Sequence, residues 1–497
     1  MINYKSKDFS FFLGGFVILV YLIVRAVKVP MTCDEVKTCL EYSRDSFSQI
    51  VSYSRSAVPN NHIFHTLLVK FFTNIFGMTA LVCRLPNLLG FIVYFYFSYK
   101  ITDGLTDFGL TDNRQKNQLL VSPTSVSPKL VSLLLLICNP YLFDFFSLAR
   151  GYGLACAFMM GSIYFALQYL KTQKNKPIFF SALFGVLSVY TNFTTLNFYV
   201  ALCFLLGVFI IIQRKNFFQL AILFGFTVIL AALSFLPITR MRATNQFVFW
   251  GNKGFYEDTF KSLTDSLMYG SSYFGAHTAA VFRVIALFLL FLVSVFCVLD
   301  IRKNKLFAFQ TPFVFAFILL VTTVVVNISQ YYIVHTPYLQ TRTALFFFPL
   351  AALPIALLFS NLYEKNKKIL NVVALVAGLP LAYHFFSHIN THSCYEWWYD
   401  SDTKKVLKYL EKEYQNDPEK KKIKLATYSW MMPSFLFHIE EEGREWWINV
   451  PESNGKIHPA GMNYYFTFDS EVPALKDQFD VVKKLGGRVL MKRKVLK

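Results

Sequence analysis

Long apolar runs separated by short polar breaks fill the first four-fifths of the chain. Each run is close to the roughly twenty helical residues that cross a bilayer core. The pattern predicts spans over 9–29, 81–99, 130–146 and 154–170. The apolar block 178–212 is too long for one helix, and its polar break Tyr190-Thr-Asn-Phe-Thr-Thr195 divides it into two. A seventh span runs to about Leu236, and four more cover 279–299, 313–328, 344–359 and a run ending near His388. The first run follows a short basic start and resembles a signal peptide, but no small-residue cleavage site precedes Pro30 and further spans follow. Between the first two spans, 30–79 is too polar to cross. It carries Phe64, Leu67, Leu68, Phe71, Phe72 and Ile75 at helical spacing, which predicts an amphipathic helix lying on the membrane. The stretches 100–129 and 239–277 read as polar loops.

From about Asn390 the pattern becomes that of a soluble domain. Helical periodicity covers 402–414 and 473–485, and strand-like segments cover 422–430, 445–450, 463–468 and 488–493. The expected fold is an all-α polytopic membrane protein with about eleven transmembrane helices over 1–389, followed by a small α/β domain over 390–497.

Composition agrees with this pattern. Of the 497 residues, 55% are hydrophobic and only 16% charged, where a soluble chain carries roughly a quarter. The abundant Phe and Tyr fit lipid-facing bulk and interfacial belts. The formal charge of +19 invites a nucleic-acid partner, but its distribution argues against one. The basic clusters at 5–7, 114–116, 171–176, 214–215, 302–305 and 365–368 fall in alternate loops, which is the positive-inside pattern. That places the N-terminus in the cytoplasm of a plasma or inner-membrane protein. The Asp34 loop, the Arg150 turn, the 239–277 and Arg342 loops and the C-terminal domain then share the outer face. The eight cysteines form no C-x-x-C pair, so neither a metal site nor a disulfide framework is expected. Cys33 and Cys39 are packing residues on this reading.

The unusual polar residues all fall on that predicted face: Asp34, Glu35, His62, His65, Arg84, Asp144, Arg150, Tyr152 and Arg342. Charges next to hydrocarbon are costly, so a cluster of both signs points to a site. Each residue also has a plainer reading. A lone arginine snorkels to the interface. An Asp-Glu pair suits a helix N-terminus. His62 and His65, three apart with no third ligand, suit capping or packing of the amphipathic helix better than metal ligation.

The order of the motifs adds to this. Asp34-Glu35 follows the first span, then come Asn60-Asn-His62, Phe76-Gly-Met78, Arg84-Leu-Pro-Asn87, Ala149-Arg-Gly-Tyr152 and Tyr190-Thr-Asn192. This series resembles the GT-C glycosyltransferases of the protein O-mannosyltransferase and lipid A aminoarabinose transferase type. The resemblance implies an outward-facing transferase that uses a polyprenyl-phosphate-linked sugar and inverts the anomeric centre. The family's catalytic base falls on Asp34, with Glu35 orienting the acceptor or a divalent cation, the one cofactor candidate. Arg84, Arg150 and Arg342 are the candidates for the leaving phosphate, with Tyr152 and Tyr338 as hydrogen-bonding neighbours. Asp144 falls near a second acidic position, and His62 lies on the substrate side. Ile63 stands where the family has proline, and a Lys-Pro-Pro of the aminoarabinose transferases is absent. Neither lipid A nor protein is therefore carried over as acceptor, which stays open among lipid, glycan and protein.

Two other classes compete. A transporter or flippase would also gather charges, but it would place them at the midplane between internal repeats, and no repeat is evident. A polysaccharide polymerase or ligase would favour a large late outer loop, which 239–277 fits only modestly. The C-terminal domain shows no nucleophile motif or phosphate-binding glycine loop, and its expected role is docking or a lid.

Overall fold

The structure is a computed structural model that describes residues 2–103, 128–213, 217–246, 251–363, 366–448 and 461–494. The basic clusters 114–116 and 214–215, Lys365, most of the 100–129 loop and the end of the 445–450 segment lie outside the described residues.

The bundle runs α1 (Ile2–Lys28), α2 (Cys33–Val36), α3 (Phe47–Ser52), α4 (Ile63–Phe76) and α5 (Ala80–Asp103). It continues through α6 (Pro128–Ile137), α7 (Pro140–Ser147), α8 (Tyr152–Thr172), α9 (Asn175–Thr191), α10 (Leu196–Ile212), α11 (Phe217–Ala243) and α12 (Ser262–Leu267). A short strand β1 (Tyr273–Ala276) precedes α13 (Thr278–Asn304), α14 (Pro312–Val334), α15 (Phe347–Tyr363) and α16 (Lys367–His388). Among the described residues, eight helices are long and apolar enough to cross a membrane, or nine with the bent pair α6–α7. The chain is a multi-pass membrane protein. The remaining two predicted spans are the 17-residue helices α9 and α15.

Several local expectations are corrected. The run 130–146 is not one straight helix but α6 and α7, bent by 64°. Pro140 lacks an amide donor, and the Asn139 side chain accepts from the amides of Tyr141 and Leu142 to start the second piece. The break at 190–195 falls as expected, where Asn192 accepts from Thr194 N between α9 and α10. The 239–277 loop is largely built: a wide helical turn over Phe255–Lys261 leads into α12. The amphipathic α4 is turned opposite to a soluble helix. His65, Thr66 and Val69 are buried while Phe71, Ile75 and Phe76 are exposed, as suits a helix whose apolar face meets lipid.

Beyond α16 the chain forms α17 (Thr403–Asn416), β2 (Ile423–Thr427), α18 (Met432–Glu441), β3 (Trp447–Ile448), β4 (Tyr464–Phe468), α19 (Val472–Leu475), β5 (Phe479–Lys484) and β6 (Arg488–Arg493). The strands form one sheet in the order β3-β2-β4-β6-β5. The helix expected over 473–485 is a single turn followed by β5, because Gly486 and Gly487, both at positive φ, close a tight hairpin onto β6. The helix α18 was not read from the sequence; Pro433 in its first turn starts it. A core of Leu407, Leu410, Leu425, Phe435, Phe466 and Leu490 holds the helices to the sheet. Phe437 of α18 instead packs with Met31, Val36, Cys39, Val69 and Ala149 of the bundle, so the sheet domain sits against the loop after α1.

Candidate functional site

Asp34 lies in the short helix α2, started by a capping box in which Thr32 and Glu35 satisfy each other's backbone amides. Its side chain keeps 15% exposure, and its carboxylate faces two guanidinium groups. Arg342 Nη2 stands 3.6 Å and Arg150 Nη2 3.9 Å from Asp34 Oδ2, while Asn60 Nδ2 donates to Oδ1 at 3.3 Å. These residues come from four separated segments.

Arg150 is buried and held by neutral oxygens. It donates to Asp34 O and Thr38 Oγ1 at 3.3 Å, to Asn60 O at 3.2 Å, and to Asn60 Oδ1. The turn that carries it is fixed by Asn87 of α5, which donates to Leu148 O and Arg150 O and accepts from Leu154 N. Gly151 allows the close approach, since a Cβ there would lie 2.7 Å from Thr191 O and 2.9 Å from His62 Cβ. The motifs Arg84-Leu-Pro-Asn87, Ala149-Arg-Gly-Tyr152 and Asn60-Asn-His62 therefore meet in one place. Arg342 differs from Arg150: a third of its side chain is exposed, it donates to Glu396 Oε2 at 2.9 Å, and it lies 5.1 Å over the Trp397 ring.

This arrangement sits on a helical scaffold that can be compared with solved structures. No family model matches the sequence, and no curated protein does. The apo crystal structure of ArnT from Cupriavidus metallidurans aligns over 98% of both chains at 10% identity, with a TM-score of 0.50. The GT-C architecture is shared. The same ArnT bound to undecaprenyl phosphate aligns over 98% of both chains at 10% identity, with a TM-score of 0.47. The Archaeoglobus fulgidus oligosaccharyltransferase tethered with an acceptor peptide aligns over 90% of this chain and 60% of its own, at 13% identity and TM-score 0.42.

Within the GT-C scaffold, the other expected site residues divide into those near Asp34 and those used elsewhere. Tyr152 is near: its ring meets His62 edge-on at 4.9 Å and lies 5.8 Å from the Arg150 guanidinium. His62 is buried and its Nε2 has no hydrogen-bond partner. Burial, then the charge of Arg150, holds its imidazole well below the usual histidine value, so it is neutral.

Glu35 and Arg84 are corrected. Both side chains are fully buried and paired with each other, 2.7 Å at both carboxylate oxygens. Glu35 also accepts from Ala149 N at 2.5 Å and Thr32 N at 2.9 Å. Burial works to raise this carboxyl, but Arg84 and the two amides outweigh it and hold it below the usual carboxylate range. Neither residue faces an open site, so Glu35 does not present itself to an acceptor or a cation, nor Arg84 to a phosphate.

Asp144 is also corrected. It pairs with buried Arg25 of α1, accepts from Tyr269 Oη at 3.0 Å and from Tyr395 N at 2.8 Å, which binds the segment after α16 to the bundle. Tyr338 stacks on Tyr331 at 4.5 Å and donates its amide to Gly251 O.

The residues that sequence reasoning missed are Asn60 as a direct partner, Arg25, Glu396 and Trp397. Glu396 and Trp397 follow the last membrane helix by only a few positions, in a stretch with no periodicity to mark them.

Among the described residues, Asp34 and Glu35 do not form a donor set for a divalent cation. Asp34 is flanked by two positive charges and the Glu35 oxygens are taken. The acidic group His438, Glu441 and Glu442 clusters tightly, but His438 Nε2 accepts from Met31 N at 3.1 Å while Nδ1 meets Glu441 Oε2 at 2.9 Å. Both ring nitrogens are therefore engaged within the fold.

Among the described residues, a separate apolar cavity of about 1030 Å³ lies between α13, α14, α15 and α16, lined by Phe282, Leu290, Phe317, Val324, Ala351 and Val376. Its lining also includes Asn139, Thr264 and His384; Asn139 starts α7, whose Tyr141 donates to Glu396.

Proposed function

We propose that this protein is a membrane glycosyltransferase that moves a sugar from a polyprenyl-phosphate donor to an acceptor hydroxyl on the outer face of the membrane, with inversion. The observation that carries this reading is the partly exposed Asp34 carboxylate between two guanidinium groups, one buried and one open. A base and a receptor for a leaving phosphate then stand side by side, on a scaffold of the GT-C type.

In this reading the acceptor oxygen attacks the anomeric carbon as Asp34 takes its proton. The bond from that carbon to the phosphate oxygen breaks, and polyprenyl phosphate leaves with the electron pair. Arg342 receives the developing charge on the phosphate, because an open guanidinium binds phosphate with paired donors. Arg150 orients the Asp34 turn through its backbone contacts. His62 and Tyr152 form the wall beside them. The apolar cavity between α13 and α16 suits a prenyl chain, whose head would then reach the Tyr141–Glu396–Arg342 group. The domain after residue 389 supports the Asp34 loop rather than supplying a second centre.

The test uses purified protein in detergent with a panel of polyprenyl-phosphate sugars. Release of free polyprenyl phosphate by the wild type, lost in Asp34→Asn, is the expected result. No binding and no turnover by folded wild-type protein with any such donor would shift the assignment to a transporter.

A further inference from the structure

The strongest unassigned feature is the segment 390–400 that follows the last membrane helix. It is tied down along its length. Arg25 donates to Asn390 O at 2.8 Å and Ser393 O at 2.6 Å. Tyr395 N donates to Asp144 Oδ2. Cys33 N, next to Asp34, donates to Asp400 Oδ2 at 3.1 Å. Between these points the chain presents Glu396 and Trp397 to Arg342. Glu396 Oε2 accepts from Arg342, its Oε1 accepts from Tyr141 Oη, and the Trp397 ring lies beneath the same guanidinium.

We propose that Glu396 is a positioning residue for the transfer reaction, a deepening that rests on the function proposed above. One open guanidinium stands between two carboxylates, at 2.9 Å from Glu396 and 3.6 Å from Asp34. Two opposed acceptors hold the cation between them. Without Glu396, Arg342 has one carboxylate left and closes onto Asp34, converting the base into one half of an ion pair. Glu396 thus keeps Arg342 available for phosphate and Asp34 available for a proton. The site carries two acids and two guanidinium groups, so it is balanced before the donor arrives and gains negative charge when a phosphate enters.

With Arg342 closed on Asp34, the carboxylate is engaged in an ion pair and less available to the acceptor proton, so the maximal rate drops.

The experiment uses full-length Glu396→Gln, Glu396→Asp and Tyr141→Phe in detergent. Expected are a loss in kcat of about tenfold for Glu396→Gln with little change in KM, and partial recovery in Glu396→Asp. Tyr141→Phe gives a smaller effect in the same direction. A second readout needs no turnover: melting of Glu396→Gln, Arg342→Gln and the double variant without donor. The double variant is expected to melt no lower than the worse single one, because both singles break the same pair. Additive losses, or an unchanged kcat in an active enzyme, overturn the proposal. An inactive, folded wild type instead ends the transferase reading, and the melting cycle then reports on the pair alone.

Discussion

Arg84 directs five hydrogen bonds into the fold, two of them to the two carboxylate oxygens of Glu35 and three to the carbonyls of Ala26, Val29 and Pro30. This pair joins the C-terminal end of α1 to α2 and to α5, and through Ala149 N to the turn before α8. The neighbouring acid, Asp34, is thereby set at a fixed place while its own carboxylate stays accessible. Two adjacent carboxylates of like chemistry stand in opposite settings, one fully enclosed and one partly open.

The first consequence concerns stability. Removing one partner of a fully buried ion pair leaves the other uncompensated, at a cost of about 3–5 kcal/mol. Glu35→Gln and Arg84→Ala are expected to melt well below wild type in detergent. Asp34→Asn is expected to melt near it. Thermal unfolding of the three variants checks this, and equal losses in all three would contradict the division of roles.

The second concerns catalysis. A positioned general base contributes about 10²–10⁴-fold, so Asp34→Asn is expected to lose at least about a hundredfold in turnover while still binding donor. Turnover measured beside donor binding separates the two effects.

The third separates the two arginines. Arg342→Lys keeps a charge but loses the planar fork that suits phosphate, and its main effect is expected on donor binding. Arg150→Lys disturbs the backbone contacts to Asp34 and Asn60, with its main effect on kcat. Steady-state kinetics with one donor at varied concentration distinguishes them.

The fourth concerns pH. His65 is buried in α4 and its pKa is pushed down to about 3, by burial first and the Arg150 charge second; His62 is displaced the same way. An unfolded histidine titrates near about 6.5, so below that pH the unfolded state binds more protons than the native one. Stability is therefore complete above about pH 6.5 and falls as pH drops toward 3. Melting between pH 7.5 and 5 is expected to decline in wild type and to decline less steeply in His65→Asn.

The fifth concerns the apolar cavity. Ala351→Trp fills part of the space between α13 and α16. It is expected to raise KM for long-chain prenyl donors more than for short-chain analogues. Equal effects on both chain lengths would show that the cavity does not hold the prenyl chain.

Much of this architecture was legible in the sequence. The apolar runs specified the membrane helices because lipid demands that each span satisfy its own backbone, and the break at Tyr190–Thr195 marked a real turn. The motifs around Asp34, Asn60, Arg84 and Arg150 pointed to one place, and they do meet. The sequence could not tell which charges face inward. Whether an arginine binds a phosphate or ties a loop depends on where its neighbours lie in space. Arg84 and Arg342 look alike in sequence, yet one is wholly enclosed and the other a third exposed.

Only the tertiary structure decided that Glu35 is a strut, that Asp144 pairs with Arg25, and that Glu396 stands at Arg342. Those pairings join residues 49, 119 and 54 positions apart, beyond the reach of any local pattern. The helix expected at 473–485 failed for a related reason: strand pairing with β6 overrode local helical preference. Hydrophobic periodicity is a local property and fixes the elements. The partners of buried charges are set by how those elements pack.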